Sequence, residues 1–221
     1  MMEIYFNENA IKNECFEGKN EDSLFPNLEP HTLLVYSKNL FRHENYHLTQ
    51  KQVNDIFSMV EKSYNKGIHL NRFITISLKH FIVKDVQNVI SGIMEKTRKW
   101  LQRNGYQHAH IWVLENGGYL DLHAHILIHI PPNYLSEYKG LLNKWLPEAE
   151  NQLKHDIKIK TVKYPPWGEL GRYANVYGLL RYMCKGVDPS LSIHGIKPKF
   201  QGEILGRRCG YSSQILKNNG E

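Results

Sequence analysis

A chain of 221 residues has room for one ordinary domain and an appended arm, and 41% hydrophobic with 23% charged residues lets it bury a core. No apolar run approaches the roughly 20 residues of a membrane-spanning helix, and the first residues lack the basic-then-apolar layout of a secretory signal. Cys15, Cys184 and Cys209 form no C-x-x-C pair, which argues against a disulfide scaffold or a thiolate zinc site and for a reducing cytoplasm, while a net charge of +6 favours a polyanionic partner.

In chain order, residues 1–48 show no clean period and are expected to form an irregular arm, with one short strand near Thr32 to Tyr36. Thr49 followed by Gln52 is an N-cap signal for a helix whose Val53, Ile56, Phe57, Val60 and Tyr64 recur at helical spacing up to Gly67. Arg72 to Leu78 alternates as a half-buried strand. A long helix follows from about Lys84 to Asn104-Gly105. Two β-runs, Ala109 to Glu115 and Leu120 to Ile130, flank Asn116-Gly117-Gly118, a hairpin signal. A helix from Tyr134 to Leu153, interrupted at Pro147, a basic strand from His155 to Tyr164 and a helix from Arg172 to Lys185 complete a domain over 49–189. Residues 190–221 form a basic loop or tail packed on it. The order β-α-β-β-α-β predicts an α+β, ferredoxin-like antiparallel sheet, with helices on one face and the other face open for chemistry. No G-x-x-x-x-G-K-[ST] is present, so the chain carries no ATP-driven helicase module of that type.

Chemistry concentrates on the strand Leu120 to Ile130. Its even positions are apolar; its odd positions include Asp121, His123, His125 and His129. Side chains two apart on a strand point the same way, so His123 and His125 offer two nitrogens to a divalent cation. Glu115, across the turn, completes a three-ligand set only if the connection is odd-numbered or bulged, because directly paired residues share a face. On the last helix, Tyr182 and Lys185 are three apart and share a face, whereas Tyr177 sits about 140° round the helix. One tyrosine alone can therefore face a site with Lys185.

These features together resemble the HUH endonuclease superfamily, and within it the single-tyrosine rolling-circle replication initiators, or Rep proteins, of plasmids and single-stranded DNA phages. Phe73-Ile74-Thr75-Ile76-Ser77 is similar to the first family motif, His123-Ala124-His125 to the second, and Tyr182-Met183-Cys184-Lys185 to the third, Y-x-x-K. The resemblance implies a Mg²⁺ or Mn²⁺ ion on Glu115, His123 and His125, and a Tyr182 nucleophile assisted by Lys185. It implies a metal-dependent nickase and strand-transferase working through a 5′-phosphotyrosine. Expected partners are single-stranded or hairpin origin DNA and host replication proteins such as a separate helicase and polymerase, with no membrane. Thr75, Ser77, Lys79, Lys158, Lys160, Arg181, Arg207 and Arg208 are the expected DNA contacts. Two other readings stand beside this one. A single-tyrosine transposase of the same superfamily resembles a pattern with glutamine four residues past the tyrosine, where this chain has Gly186. A non-catalytic single-stranded nucleic-acid-binding module would share the layout but would put stacking rings where this chain has imidazoles.

Overall fold

The computed structural model describes residues 44–78, 86–117, 120–146, 156–162 and 168–216; the strand expected near Thr32 to Tyr36 lies outside them. Local signals set the element boundaries. After strand β1 (Glu44–Asn45), helix α1 (Gln50–Asn65) begins at a capping box: Gln52 N–H donates to the Thr49 hydroxyl at 3.2 Å, and Thr49 N–H donates to the Gln52 side chain at 2.9 Å. Strand β2 (Arg72–Ser77), helix α2 (Val86–Arg103), strands β3 (His110–Gly117) and β4 (Leu120–Ile128) and helix α3 (Leu135–Trp145) follow. Then come strand β5 (Ile157–Thr161), helix α4 (Gly168–Met183) with a closing 3₁₀ turn at Cys184–Gly186, strands β6 (Ile204–Leu205) and β7 (Cys209–Tyr211), and helix α5 (Ser213–Leu216).

Two boundaries differ from expectation. Helix α3 stops at Trp145 because Leu146 is extended (φ −69°, ψ 134°), the geometry that a following proline imposes; Pro147 and the rest of the expected helix lie outside the described residues. Helix α4 begins at Gly168 rather than near Arg172.

The main sheet has the order β5-β2-β4-β3-β7, with every neighbouring pair antiparallel. Its first four strands have the ferredoxin-like order, and β7, from the C-terminal segment, adds a fifth beside β3. The segment before α1 is also tied in: β1 pairs with β6, and Leu48 N–H donates to Gly186 C=O at 2.8 Å.

Alternation along the strands divides the core in two. Ile74, Ile76, Trp112, Leu114, Ala124, Ile126 and Ile128 pack with Ile90, Ile93 and Leu101 of α2 and Tyr138 and Leu142 of α3. Phe73, Ile111, Val113 and Leu127, on the other face, pack with Val53, Ile56 and Phe57 of α1 and Val176, Leu180 and Met183 of α4. The expectation of helices on one face only is therefore corrected: α1 and α4 cover part of the histidine face, because its positions 73, 111, 113 and 127 are apolar. What stays accessible is the part around positions 75, 115, 123 and 125.

The segment before β7 is pinned to the end of β3. Asn116 N–H donates to Gln201 C=O at 2.9 Å, and the Asn116 amide donates to Glu203 C=O at 3.0 Å. Gly202 has φ +65°, and a Cβ there would lie 1.9 Å from the Asn116 carbonyl oxygen. Neither the left-handed backbone nor the contact tolerates a side chain. Gly202→Ala is expected to lower unfolding stability by about 2–4 kcal/mol, checked by chemical denaturation; an unchanged midpoint would show that the segment is not clamped to β3.

Candidate active site on the sheet

Register brings the expected residues into rows across the strands. Ser77, His123 and Glu115 are direct neighbours on β2, β4 and β3, and Thr75, His125 and Val113 form the adjacent row. The geometric condition on Glu115 is met. Pairing shifts between Asn116, opposite Leu122, and Gly117, opposite Leu120, so a bulge leaves Asp121 over and returns Glu115 to the histidine face. His123, His125, Glu115, Thr75, Phe73, Lys160, Leu179 and Tyr182 line one open cleft of about 570 Å³.

Within it the side chains are coupled. His125 Nε2 lies 2.9 Å from Glu115 Oε2, and its Nδ1 lies 3.2 Å from the Thr75 hydroxyl. Lys185 Nζ is 2.8 Å from the same Glu115 oxygen. The ring of His125 stacks on Phe73 at 5.6 Å and runs parallel to His123 at 6.4 Å. Burial alone would push the Glu115 carboxyl up, but the hydrogen bonds from His125 and Lys185 outweigh it and hold the carboxyl down to about 2.

That depression fixes a pH window. A carboxylate whose folded pKa lies below its ordinary value of 4.5 contributes stability that is full above 4.5 and lost as the pH falls through about 2. The stability gap between wild type and Glu115→Gln should therefore be constant above pH 4.5 and close on acidification toward pH 2, read by denaturation in a chelator. A gap that persists at the acid end would mean that the charge is not what the site holds.

Tyr182 comes to the same cleft from α4. Its ring meets His125 edge-on at 5.3 Å between centroids, it is 45% exposed, and Lys185 Nζ lies 3.9 Å above its centroid. Among the described residues its hydroxyl makes no hydrogen bond. Tyr177, on another side of the helix, instead donates to Glu61 of α1 at 2.7 Å. The imidazole pair and one phenol, distant in sequence, thus share a pocket.

Other expected contacts distribute unevenly. Lys160 lines the cleft, and Lys158 occupies the same face beside Thr75, paired with Asp156 at 3.2 Å. Lys79 lies outside the described residues. Ser77 does not present itself to DNA: it is 9% exposed, since β2 is an interior strand, and its hydroxyl is buried without a partner among the described residues, beside His123. Arg181 is exposed but donates to His194 C=O at 2.8 Å and does not line the cleft. Arg207 stacks over Trp112, whose side chain belongs to the opposite face of the sheet.

Arg208, expected as a phosphate contact, is 1% exposed and donates to the carbonyls of Leu114, Gln201 and Gly202. Its guanidinium is a structural pin for the segment beside Glu115, and a surface loop reading fails because β7 draws it into the core. Phe73 and Leu179, which sequence reasoning did not assign to the site, wall the cleft; Phe73 was legible from its parity with Thr75.

The donors suit a hard divalent ion: two imidazoles on one face and an ionised carboxylate opposite, next to the orphaned Ser77 hydroxyl. Among the described residues no three His, Cys, Asp or Glu side chains converge as a ready ligand set, because Glu115 turns to Lys185 and His125. No described helix is long and apolar enough to cross a membrane. Cys184 and Cys209 are buried free thiols.

An α+β sheet with an imidazole pair, a carboxylate and a helix-borne tyrosine in one cleft is the setting in which the family match belongs. Residues 71–187, from β2 through the turn after α4, match the family model for the replication-associated protein ORF2, and the chain belongs to that family. No curated protein and no solved structure matches it.

Proposed function

We propose that this replication-associated protein is a metal-dependent endonuclease of the HUH type that nicks one DNA strand and religates it through Tyr182, so initiating rolling-circle replication. The observation that supports the reading most is the meeting of Tyr182, Lys185, Glu115, His123 and His125 in one accessible cleft.

In the reaction the Tyr182 phenolic oxygen attacks the scissile phosphorus. The bond to the 3′ oxygen breaks, leaving a 5′-phosphotyrosine and a strand end that gains a proton to become a 3′-hydroxyl. The phenolic proton is lost to solvent or a bound hydroxide. Lys185, above the phenol ring, stabilises the negative charge that develops on the phenolate. Glu115, His123 and His125 would hold the divalent cation, Mg²⁺ or Mn²⁺, which supplies Lewis-acid polarisation of a phosphate oxygen when bound. The Thr75 hydroxyl at His125 Nδ1 fixes that ring's tautomer and plane. Because the ester retains the energy of the cleaved bond, religation needs no ATP, in keeping with the missing nucleotide-binding motif.

Lys158 and Lys160 suit backbone phosphates of single-stranded or hairpin origin DNA along the exposed edge of the face. Extension of the freed 3′ end would fall to a host polymerase, with a separate helicase opening the duplex, and the work belongs in the cytoplasm. The test is incubation with labelled single-stranded DNA and Mn²⁺ followed by a denaturing gel. A covalent protein–DNA adduct supports the reading, whereas binding without an adduct on any hairpin or single-strand pool favours a non-catalytic binding module.

A further inference from the structure

A second groove, of about 400 Å³, opens between β5 and α4 next to the cleft, lined among others by Phe73, Lys160, Val162, Gly178 and Leu179. Phe73, Lys160 and Leu179 line both, so the groove is a continuation of the cleft and not a separate hollow. Its walls combine apolar surface with one cation, and among the described residues Lys160 has no ion pair or hydrogen bond. Gly178 forms the α4 side. It lies one helical turn before Tyr182, on the same face, and a Cβ there would meet nothing within 4 Å.

Glycine inside a helix is disfavoured relative to alanine, and no neighbour here needs the space. Gly140 of α3 is just as open, so openness alone says nothing. What distinguishes Gly178 is where its absent side chain would project: into a groove that runs to the Tyr182 hydroxyl.

We propose that this groove holds the base of a nucleotide adjoining the scissile phosphate of single-stranded DNA, with Gly178 giving clearance and Lys160 meeting the phosphate. The inference rests on the nuclease reading above for its choice of occupant. Apolar walls accept the flat face of any base, and the lysine stands at the junction of groove and cleft, where the backbone must pass. A leucine at position 178 would fill the space without harming the helix, since leucine is a better helix former than glycine.

The experiment measures anisotropy of a labelled oligothymidine with the full-length protein in a chelator, beside the covalent-adduct assay in Mn²⁺. Gly178→Leu should bind about tenfold more weakly, the size of one lost base contact, and Gly140→Leu should bind like wild type. An abasic residue stepped along the oligonucleotide should weaken wild-type binding at one position, and that penalty should vanish in Gly178→Leu. If Gly178→Leu folds poorly, Lys160→Ala replaces it and should weaken binding with a shallower salt dependence. Binding within twofold of wild type, or an abasic penalty that persists, overturns the groove assignment. An adduct with normal Gly178→Leu binding sinks the groove alone, while groove effects without any wild-type adduct sink the nuclease reading alone. Absence of single-strand binding by wild type sinks both.

Discussion

Tyr182→Phe is expected to abolish the covalent protein–DNA adduct while the protein folds and binds single-stranded DNA as before. The substitution removes one oxygen from a ring that is 45% exposed and whose hydroxyl bonds to nothing else among the described residues. The edge-on contact with His125 and the cation over the ring both survive in phenylalanine. Stability should therefore change by no more than about 0.5 kcal/mol. Activity should fall by about 10⁴-fold or more, as when a nucleophile is deleted from a set that works as a unit. Tyr177 does not substitute, since its hydroxyl is held by Glu61 on α1. A denaturing gel with Mn²⁺ decides the matter: an undiminished adduct in Tyr182→Phe would move the nucleophile elsewhere and dissolve the proposed mechanism.

The second large effect concerns the imidazoles. His123→Ala and His125→Ala should each reduce cleavage by about 10²- to 10³-fold, the loss typical of removing one preorganised stabiliser of transition-state charge. Single-strand binding in a chelator should stay within about threefold, because lysines on the rim and stacking surfaces carry it. The two variants should differ in stability. His125 is 6% exposed, stacks on Phe73 and bonds both Glu115 and Thr75, so its removal leaves Glu115 with Lys185 as its remaining partner. That should cost about 1–3 kcal/mol. His123 makes no hydrogen bond among the described residues, and its loss should be close to neutral for folding. Titrating Mn²⁺ into each variant separates weakened ion affinity from lost chemistry. Parallel loss of binding and cleavage in both variants would mark the histidines as scaffold.

Much of this was legible in the sequence because it depended on short-range rules. The Thr49–Gln52 capping box and strict alternation in β2 and β4 are local signals, and the structure carries each of them. The same alternation put His123 and His125 on one face, and helical spacing put Tyr182 and Lys185 together. Glu115 was half-legible: parity stated the condition, but the bulge at Asp121 that meets it depends on how two strands pair. Arg208 was misread as a surface loop residue. Its sequence neighbours are basic and glycine-rich, and only the pairing of β7 with β3 shows that it is buried against the carbonyls of Leu114, Gln201 and Gly202. Ser77 was misread for a related reason, since alternation gives the face of a residue but not what stands above it.

By itself, then, the order of residues determined the elements, the ferredoxin-like succession and the identity of the chemical groups, since these follow from periodicity within a few residues of each position. Tertiary structure alone decided three things. It brought a phenol and an imidazole pair, nearly sixty residues apart, to 5.3 Å between ring centroids. It covered part of the histidine face with α1 and α4, and it turned a basic tail into a sheet strand with a buried arginine. Each is a contact between segments distant along the chain, and such contacts are set by the packing of whole faces rather than by any local pattern.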